Sequence, residues 1–292
     1  MSVDTRFTTF LNNIKPTDIQ LEDARTKYDG VCKKLHDYYY SYEYTGSTKL
    51  LIGSYGKHTN IRPPRDVDIL FIMPYEEFDR YDSYEGNGQS QLLQDIKKIL
   101  QEKYSTTDSI RGDGQVIVIP FESGHKVELL LAWLLENGKY YIPNTHEGGS
   151  WKIVDPKAEI KQIQDFDKRS NGNIRNLVRM LKVWQRACNV PIKSLVIELR
   201  VVNFLKKYKY FDKSTIYYDW IVRDFLKELL KYVSGNCKMP GINEKIYYGD
   251  EWESKAKSAY IRAKKACEYE KDEDEYNATV EWKKIFGGDF QF

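Results

Sequence analysis

Two aspartates separated by one residue open an apolar segment of the chain. Asp66 and Asp68 flank Val67, and residues 69–72 are all apolar. On a β-strand, side chains at positions i and i+2 point to the same face, so both carboxylates converge on one spot. Two like charges beside a buried strand are unfavourable unless a cation lies between them, and Mg²⁺ binds carboxylate oxygens. The pattern predicts a divalent-metal site, whereas an isolated Asp-x-Asp is more often a pair of solvated or capping aspartates.

A Gly-Ser pair thirteen residues upstream could hold a phosphate. Gly53 and Ser54 directly follow a short apolar strand. Glycine lets a phosphate approach the backbone closely, and exposed N–H groups together with a serine hydroxyl can bind its oxygens. Gly-Ser after a strand is by itself usually an ordinary turn. Its position before the two aspartates favours a phosphate site beside a metal site.

A third acidic residue interrupts another apolar strand. Glu128 lies within residues 126–133, where only Lys126 is also charged. A carboxylate in such surroundings needs a partner, a metal ion or solvent. Because Lys126 lies two positions away on the same face, an edge-strand residue facing water is the alternative to a third metal ligand.

A predicted α/β lobe positions these residues. Apolar residues recur at helical spacing over residues 19–40 and 92–104. Short apolar strands are predicted at residues 50–52, 67–73, 116–121, 126–133 and 139–142. Helices and strands in this order predict a mixed sheet covered by helices.

From about residue 158 the apolar spacing is helical throughout. Helices are predicted at residues 174–184, 195–205, 218–233 and 251–270, with a short terminal turn at residues 281–286. The change of period predicts an α/β lobe over residues 1–160, which includes the long N-terminal helix, and a helical lobe over residues 161–292. The predicted fold class is therefore α+β and bilobal, with a cleft of the kind that commonly holds ligands.

The order of the motifs resembles a known superfamily. Gly53-Ser54, Asp66-Val67-Asp68 and a carboxylate on a later strand are similar to the polymerase-β-like nucleotidyltransferase pattern. The string GSYGKHTNIRPPRDVDILF more narrowly resembles the bacterial cyclic-oligonucleotide synthases related to cGAS and the oligoadenylate synthases, the cGAS/DncV-like nucleotidyltransferases. Further similarity extends nearly end to end, through the blocks NTHEGGSWKIVDPKAEI, LVRMLKVW, PIKSL and WKKIFG. The third carboxylate is commonly aspartate in this family and is glutamate here.

The resemblance implies an activity and roles for the acidic residues. A ribose hydroxyl would attack the α-phosphate of an NTP and release pyrophosphate. Two Mg²⁺ ions, for which Mn²⁺ can substitute, would lower the hydroxyl pKa and neutralise the phosphates. Asp66 and Asp68 would hold both ions, while Glu128 would complete the nucleophile-side site and help deprotonate the hydroxyl. Gly53 and Ser54 would clamp the triphosphate.

The resemblance also implies two phosphate ligands in the helical lobe. Lys182 belongs to a basic stripe with Arg175, Arg179 and Arg186, a pattern that on composition alone is more often solvated. The family position identifies Lys182 as the triphosphate lysine. Ser194 begins the next predicted helix, where a hydroxyl usually caps the helix but free N–H groups also suit a phosphate. The resemblance pairs Ser194 with Lys182.

Asp155 lies in a block that resembles the family segment near the acceptor base. An ionised carboxylate accepts hydrogen bonds and cannot donate them. Guanine offers N1–H and N2–H₂ donors side by side, whereas adenine offers only its N6 amine. If Asp155 faces a base edge, it favours guanine and hence a guanine-containing cyclic dinucleotide. The alternative is a turn residue, because aspartate before proline is common in turns.

Composition and charge limit the classes of partner. The chain has 45 basic and 43 acidic residues and a net charge of only +2, which gives no support to extended nucleic-acid binding. The four cysteines are far apart and in no CxxC spacing, so neither a zinc site nor a disulfide framework is indicated. No apolar run approaches the roughly 18 residues of a transmembrane helix, and the N-terminus does not resemble a secretory signal. These features predict a cytoplasmic protein that does not associate with membranes.

Together with the resemblance, the sequence predicts a monomeric enzyme that makes a cyclic oligonucleotide second messenger. Its substrates would be ATP, GTP or both, and its product would act on a downstream effector in anti-phage defence. We find no zinc-ligand insertion of the kind a DNA-sensing relative carries, so no DNA activator is expected. Two alternatives stay open: a nucleotidyltransferase that modifies RNA, protein or a small molecule, and a catalytically silent nucleotide-binding scaffold. An RNA acceptor would favour a broad basic surface, and the presence of all three acidic residues argues against a silent scaffold.

Overall fold

The computed structural model describes residues 2–63, 66–105, 110–122 and 124–291. The chain divides into two compact units. The sheet unit comprises Pro16–His58 and Pro64–Ile160, and the helical unit comprises Met1–Lys15, Thr59–Pro63 and Lys161–Phe292. Pro64 and Arg65, within the string that carries the family resemblance, lie outside the described residues.

The elements have the following bounds in chain order. The strands are β1 (Lys49–Leu51), β2 (Asp66–Ile72), β3 (Arg111–Asp113), β4 (Val116–Pro120), β5 (Lys126–Leu134), β6 (Tyr140–Asn144), β7 (Ser150–Val154), β8 (Asn236–Lys238) and β9 (Lys245–Tyr247). The helices are α1 (Val3–Ile14), α2 (Asp18–Tyr39), the single turn α3 (Gly53–Gly56), α4 (Glu76–Asp82), α5 (Gly88–Lys103), α6 (Pro156–Arg169), α7 (Asn173–Ala187), α8 (Ser194–Leu205), α9 (Tyr218–Leu229), α10 (Glu253–Lys271) and α11 (Glu275–Phe286).

The sheet unit is built on a mixed sheet with the strand order β1-β2-β5-β4-β3. Strands β2 and β5 are parallel, whereas β1 pairs with β2, and β4 with both β5 and β3, in antiparallel fashion. The end of β5 also pairs with β6, which continues to β7. This mixed sheet, together with the helices, confirms the predicted α+β class.

The two faces of β2 have different surroundings because its side chains alternate. Val67, Ile69 and Phe71 are fully buried in the cluster that contains the apolar residues of α2 and α5. Leu70 belongs to a smaller cluster on the opposite face. Asp66 and Asp68 share the parity of Leu70, so their strand is anchored by one face and presents its acidic residues on the other.

The helical unit has its own core, to which the first helix of the chain contributes. Phe7, Phe10 and Ile14 of α1 are fully buried in the same cluster as Trp184 and Trp282. The centroids of the Phe7 and Trp282 rings lie 5.2 Å apart in an edge-on contact. Residues 1–15 therefore belong with the helices, whereas the sequence-based division assigns them to the α/β lobe.

Candidate active site

The register of β2 and β5 brings three acidic residues to one face of the sheet. Asp68 is paired with Glu128, and Asp66 with Lys126, across the two parallel strands. Residues paired in this way point to the same side, so Asp66, Asp68 and Glu128 form a cluster that we call the acidic face. On its other side β5 pairs with β4, where Val118 is the partner of Glu128. Glu128 is therefore not an edge-strand residue, and that alternative is wrong.

The crowded negative charges on the acidic face change the pKa of Glu128. Burial, and then the negative charges of Asp68 and Asp66, raise the pKa of Glu128 to about 7. Asp113 acts in the same direction, and Lys126 opposes the rise. The Nζ of Lys126 lies 3.9 Å from Oδ1 of Asp66, and both side chains are about half exposed, so this ion pair is weak. The acidic face thus has an excess of negative charge that a cation would relieve.

The Gly-Ser loop packs directly against the acidic face. The backbone N–H of Ile52 donates to the carbonyl oxygen of Asp68 at 3.0 Å, which continues the β1–β2 pairing to the edge of the loop. Gly53 has a φ of +55°, and a Cβ atom placed on it would lie 1.8 Å from Oδ2 of Asp68. Any other residue at this position would be strained and would have to displace the Asp68 carboxylate. Ser54, in the first turn of α3, is half-buried. The structure therefore brings the predicted phosphate loop and the predicted metal ligands together.

The donor chemistry of the acidic face fits a divalent metal ion. In the part of the chain that the structure describes, no group of three or more His, Cys, Asp or Glu side chains is arranged to hold a metal ion. Mg²⁺ usually takes one or two protein carboxylates and fills its remaining positions with water and substrate phosphates. The hard oxygens of Asp66 and Asp68, which raise the pKa of a third carboxyl, fit a site of that kind.

Lys182 lies in a buried polar cluster of the helical unit. Its Nζ donates to Oε1 of Glu198 at 2.7 Å and to Oγ1 of Thr59 at 3.0 Å. Lys182 and Glu198 are 8 and 4% exposed, so their charges neutralise each other largely out of water. Sequence reasoning missed Glu198 as the partner. The signal was present, because Glu198 is the lone acidic residue in the apolar run SLVIELRVV.

Ser194 forms a second contact between the same two helices. Its hydroxyl donates to Oε1 of Gln185 at 2.9 Å. The N-cap of α8 is Lys193 rather than Ser194, so the structure does not give Ser194 the usual capping role. Since Gln185 and Lys182 are both on α7, the structure places Ser194 and Lys182 on one pair of packed helices.

The other members of the basic stripe are held by contacts within the helical unit. Arg175 forms a salt bridge with Asp167 at 3.2 Å, and Arg186 one with Asp289 at 2.7 Å. Burial, with a further contribution from Arg175, lowers the pKa of Arg179 to about 10. The stripe is therefore partly buried and engaged, not a solvated face.

Asp155 lies between β7 and α6. Its Oδ1 accepts a hydrogen bond from the backbone N–H of Ala158 at 2.9 Å, in the first turn of α6. This is the geometry of a helix N-cap, which matches the turn alternative considered for this residue. In the described residues, no hydrogen bond or strand pairing connects Asp155 with the acidic face.

The fold and the site together define a class of protein. The mixed sheet has a Gly-Ser loop against Asp-x-Asp and a third carboxylate on the adjoining parallel strand, as the resemblance to the nucleotidyltransferases implies. Residues 1–166, more than half of the chain, match the Second Messenger Oligonucleotide or Dinucleotide Synthetase domain. The chain belongs to this family, which confirms the resemblance predicted from its motifs, and it is a nucleotidyltransferase.

Comparison with individual proteins agrees with this assignment. A probable cyclic nucleotide synthase of Bacillus cereus (strain VD146) is 21% identical, over 85% of this chain and 83% of that protein. The cyclic AMP-AMP-AMP synthase of Acinetobacter sp. (strain ATCC 27244 / 9458) is 22% identical, over 77% of this chain and 65% of its own length. A structure of the Vibrio cholerae di-nucleotide cyclase DncV superposes with a TM-score of 0.76 at 12% identity, over 96% of this chain and 94% of that one. The last similarity establishes the shared fold.

Hydropathy adds one further finding. Among the described residues, no helix combines the length and the apolar character needed to span a membrane.

Proposed function

We propose that the protein condenses nucleoside triphosphates into a cyclic oligonucleotide and releases pyrophosphate. The observation that carries the proposal is the acidic face, where Asp66, Asp68 and Glu128 lie on adjacent strands with Gly53 against Asp68. Membership of the synthetase family supports it, as do the names of the relatives from Bacillus and Acinetobacter.

The acidic residues are proposed to hold two Mg²⁺ ions, or Mn²⁺ in their place. Bound metal would supply positive charge at the α-phosphate and lower the pKa of the attacking ribose hydroxyl. Asp66 and Asp68 hold both ions through carboxylate oxygens. Glu128 is proposed to complete the site on the side of the attacking hydroxyl and to help deprotonate it.

Two sets of residues are proposed to bind the triphosphate. Gly53 lets the loop backbone lie directly against Asp68, and the loop is proposed to hold the phosphate chain there, with the Ser54 hydroxyl donating to its oxygens. Lys182 and Ser194 are assigned to the same task by family position. Because Lys182 is paired with Glu198, its binding of a phosphate requires that the ammonium group exchange or share this partner.

Incubation of the purified protein with the four NTPs and Mg²⁺ or Mn²⁺ tests the proposal, with the products identified by mass spectrometry. We expect a cyclic oligonucleotide and pyrophosphate, neither of which is formed by the Asp66→Asn/Asp68→Asn variant. Transfer of a nucleotide to the protein itself, or to added RNA, would instead support the alternative transferase. The absence of any product with either metal would contradict synthesis.

The choice of base is proposed to depend on Asp155, with guanine favoured. The N-cap contact provides a matched pair of variants, because asparagine caps a helix as well as aspartate does, whereas alanine does not. Asp155→Asn keeps the cap and adds a donor, so GTP incorporation should fall relative to ATP in a competition assay. Asp155→Ala reports the loss of the cap. Unchanged base ratios in Asp155→Asn, or a wild-type product without guanine, would leave Asp155 as the capping residue.

The biological role is proposed to be anti-phage signalling from the cytoplasm, through an effector that binds the product. This role rests on the family resemblance alone. Plaque counts on bacteria that carry the wild-type gene should be lower than on bacteria that carry the Asp66→Asn/Asp68→Asn variant, provided that the effector gene is present. The enzyme is proposed to act as a monomer, which sedimentation at assay concentration would test.

A further inference from the structure

A cavity of about 390 Å³ lies in the helical unit, beside α9 and α10. Its volume is within the range of small-molecule sites. The lining combines two aromatic rings with four basic side chains, namely Tyr210, Trp220, Lys209, Arg223, Lys264 and Lys271. None of these residues takes part in the proposed synthesis, so the combination calls for a separate explanation.

The aromatic part of the lining offers a flat surface. Trp220 is 38% exposed although it is a large apolar side chain. The Tyr210 ring lies 5.5 Å from the Trp220 ring between centroids, and it is stacked on Tyr217 at 4.5 Å with an interplanar angle of 18°. The stack holds Tyr210 in place. The Cζ of Arg223 lies 6.0 Å from the centroid of the Trp220 ring, so the exposed part of Trp220 and this guanidinium together offer a surface to a planar ligand.

The charged part of the lining is positive after its internal ion pairs are counted. Arg223 donates to Oδ1 of Asp224 at 2.8 Å, and Lys264 lies 3.7 Å from Oε1 of Glu268. The four basic and two acidic side chains of the lining leave an excess of two positive charges.

Two of the lysines differ from the rest. Among the described residues, Lys271 and Lys209 form no salt bridge, and the Nζ of Lys209 lies 4.6 Å from the centroid of the Tyr210 ring. Lys264 and Lys271 are seven residues apart on α10, so they lie on one face of the helix, on either side of Glu268. A ligand with several negative charges could contact both.

We propose that this cavity is a second nucleotide site, which binds a nucleobase against Trp220 and its phosphates through Lys264, Lys271 and Lys209. Aromatic side chains stack on any base, and lysines contact phosphates as point charges, so the two halves of the lining match the two halves of a nucleotide. The ligand is either an NTP or a cyclic oligonucleotide. Occupancy of such a site would depend on the concentration of substrate or product. This binding is separate from the proposed synthesis.

Calorimetric titration of the full chain in EDTA tests the site, because turnover is then absent and the result does not depend on synthesis. ATP and cyclic tri-adenylate are the two probes. The variants are Trp220→Leu and Lys264→Ala/Lys271→Ala. The matched control is Lys257→Ala/Lys265→Ala, which removes two exposed lysines of the same helix that do not line the cavity. Circular dichroism establishes that each variant is folded.

We expect Trp220→Leu to weaken binding of the preferred probe by about tenfold, the size of one lost base–aromatic stack. The lysine variant should weaken binding and reduce its dependence on salt, whereas the control should match the wild type. The probe that binds with the higher affinity shows whether the ligand is an NTP or a cyclic oligonucleotide. Failure of both probes to bind the wild type, or equal affinity in all variants, would overturn the proposal. Loss of synthesis with binding retained would contradict only the proposed function.

Discussion

The acidic face and the Lys182 cluster differ in whether their charges are compensated by neighbouring residues. On the acidic face, three carboxylates lie together, and one of them has its pKa raised to about 7. Around Lys182, a buried ammonium group is matched by Glu198 and by the Thr59 hydroxyl. The first arrangement is unfavourable until a cation is added, whereas the second is neutral within the protein itself.

This contrast distinguishes residues whose charges need a ligand from residues whose charges are already paired within the protein. Like charges held in register on a sheet are a sign of function, because stability alone would not favour them. Breaking a buried ion pair destabilises the fold whether or not the pair also binds a ligand, so the sequence position of Lys182 alone does not distinguish support of α7 and α8 from phosphate binding. Variants can distinguish the two roles.

The largest effect is expected on the acidic face. Asp66→Asn/Asp68→Asn should lower product formation by about a thousandfold or more, because metal charge stabilisation is worth several kcal/mol. The melting temperature should stay equal or rise, since repulsion is removed. Chromatography of labelled NTPs measures the first quantity, with exposed Asp37→Asn as the control. A double variant with near wild-type activity would contradict metal binding here.

Gly53→Ala should come next, with a loss of activity of about a hundredfold. The new Cβ would displace the Asp68 carboxylate, which lies 1.8 Å from its position. Gly138→Ala is the matched control, because Gly138 also has a positive φ, +80°, and a Cβ there meets nothing within 4 Å. Both variants should lose about 1 kcal/mol of stability from the backbone alone. Equal activity in the two would show that the fit against Asp68 is unimportant for catalysis.

Substitution of Lys182 should reduce activity less than Gly53→Ala does, but it should clearly lower stability. Lys182→Ala removes the positive charge that faces the buried Glu198 carboxylate, so the free energy of unfolding should fall by about 3 kcal/mol. Lys182→Met/Glu198→Met replaces both charges by apolar groups and should recover most of that loss. If Lys182 binds phosphate, the apparent KM for NTP should be raised about tenfold in both variants, and more than in Ser194→Ala. A normal KM in the double variant would assign Lys182 to structure alone.

The smallest effect concerns pH in the metal-free protein. The pKa of Glu128 is about 7 when folded, against an ordinary value of 4.5. The folded state therefore binds this proton more tightly than the unfolded state does. The resulting stabilisation is fully present below pH 4.5 and is lost as the pH rises through 7. In EDTA, the urea midpoint of Glu128→Gln should equal that of the wild type at pH 4.5 and should be higher than that of the wild type at pH 8. A constant difference between the two proteins would show that the acidic face does not shift Glu128.

Sequence reasoning worked best where periodicity and chemistry coincide. The alternation of β2 predicts that Asp66 and Asp68 share a face, and the structure has them so. Pairing with Glu128 depends on which strands are neighbours, which periodicity does not reveal. For that reason the sequence left an edge position open for Glu128, and the family resemblance was needed to connect the three residues.

Other features depend on contacts between residues that are distant in the chain. The polarity of Lys182 does not identify Glu198 or Thr59, which meet it only after α7 and α8 have packed. The apolar residues of α1 require a partner surface, but their spacing does not show which core they join. Local reasoning could offer a turn role for Asp155 as the alternative to base binding, because a cap is formed within three residues.

The contribution of α1 to the helical core has a consequence for synthesis in the cell. Phe7 and Phe10 contact Phe290, so two segments about 280 residues apart in the sequence pack against each other. The helical unit therefore cannot complete its core until residue 290 has been synthesised, and the apolar face of α1 stays exposed meanwhile. Removal of residues 283–292 would take Phe286 and Phe290 away from Phe10 and leave part of the apolar face of α1 uncovered.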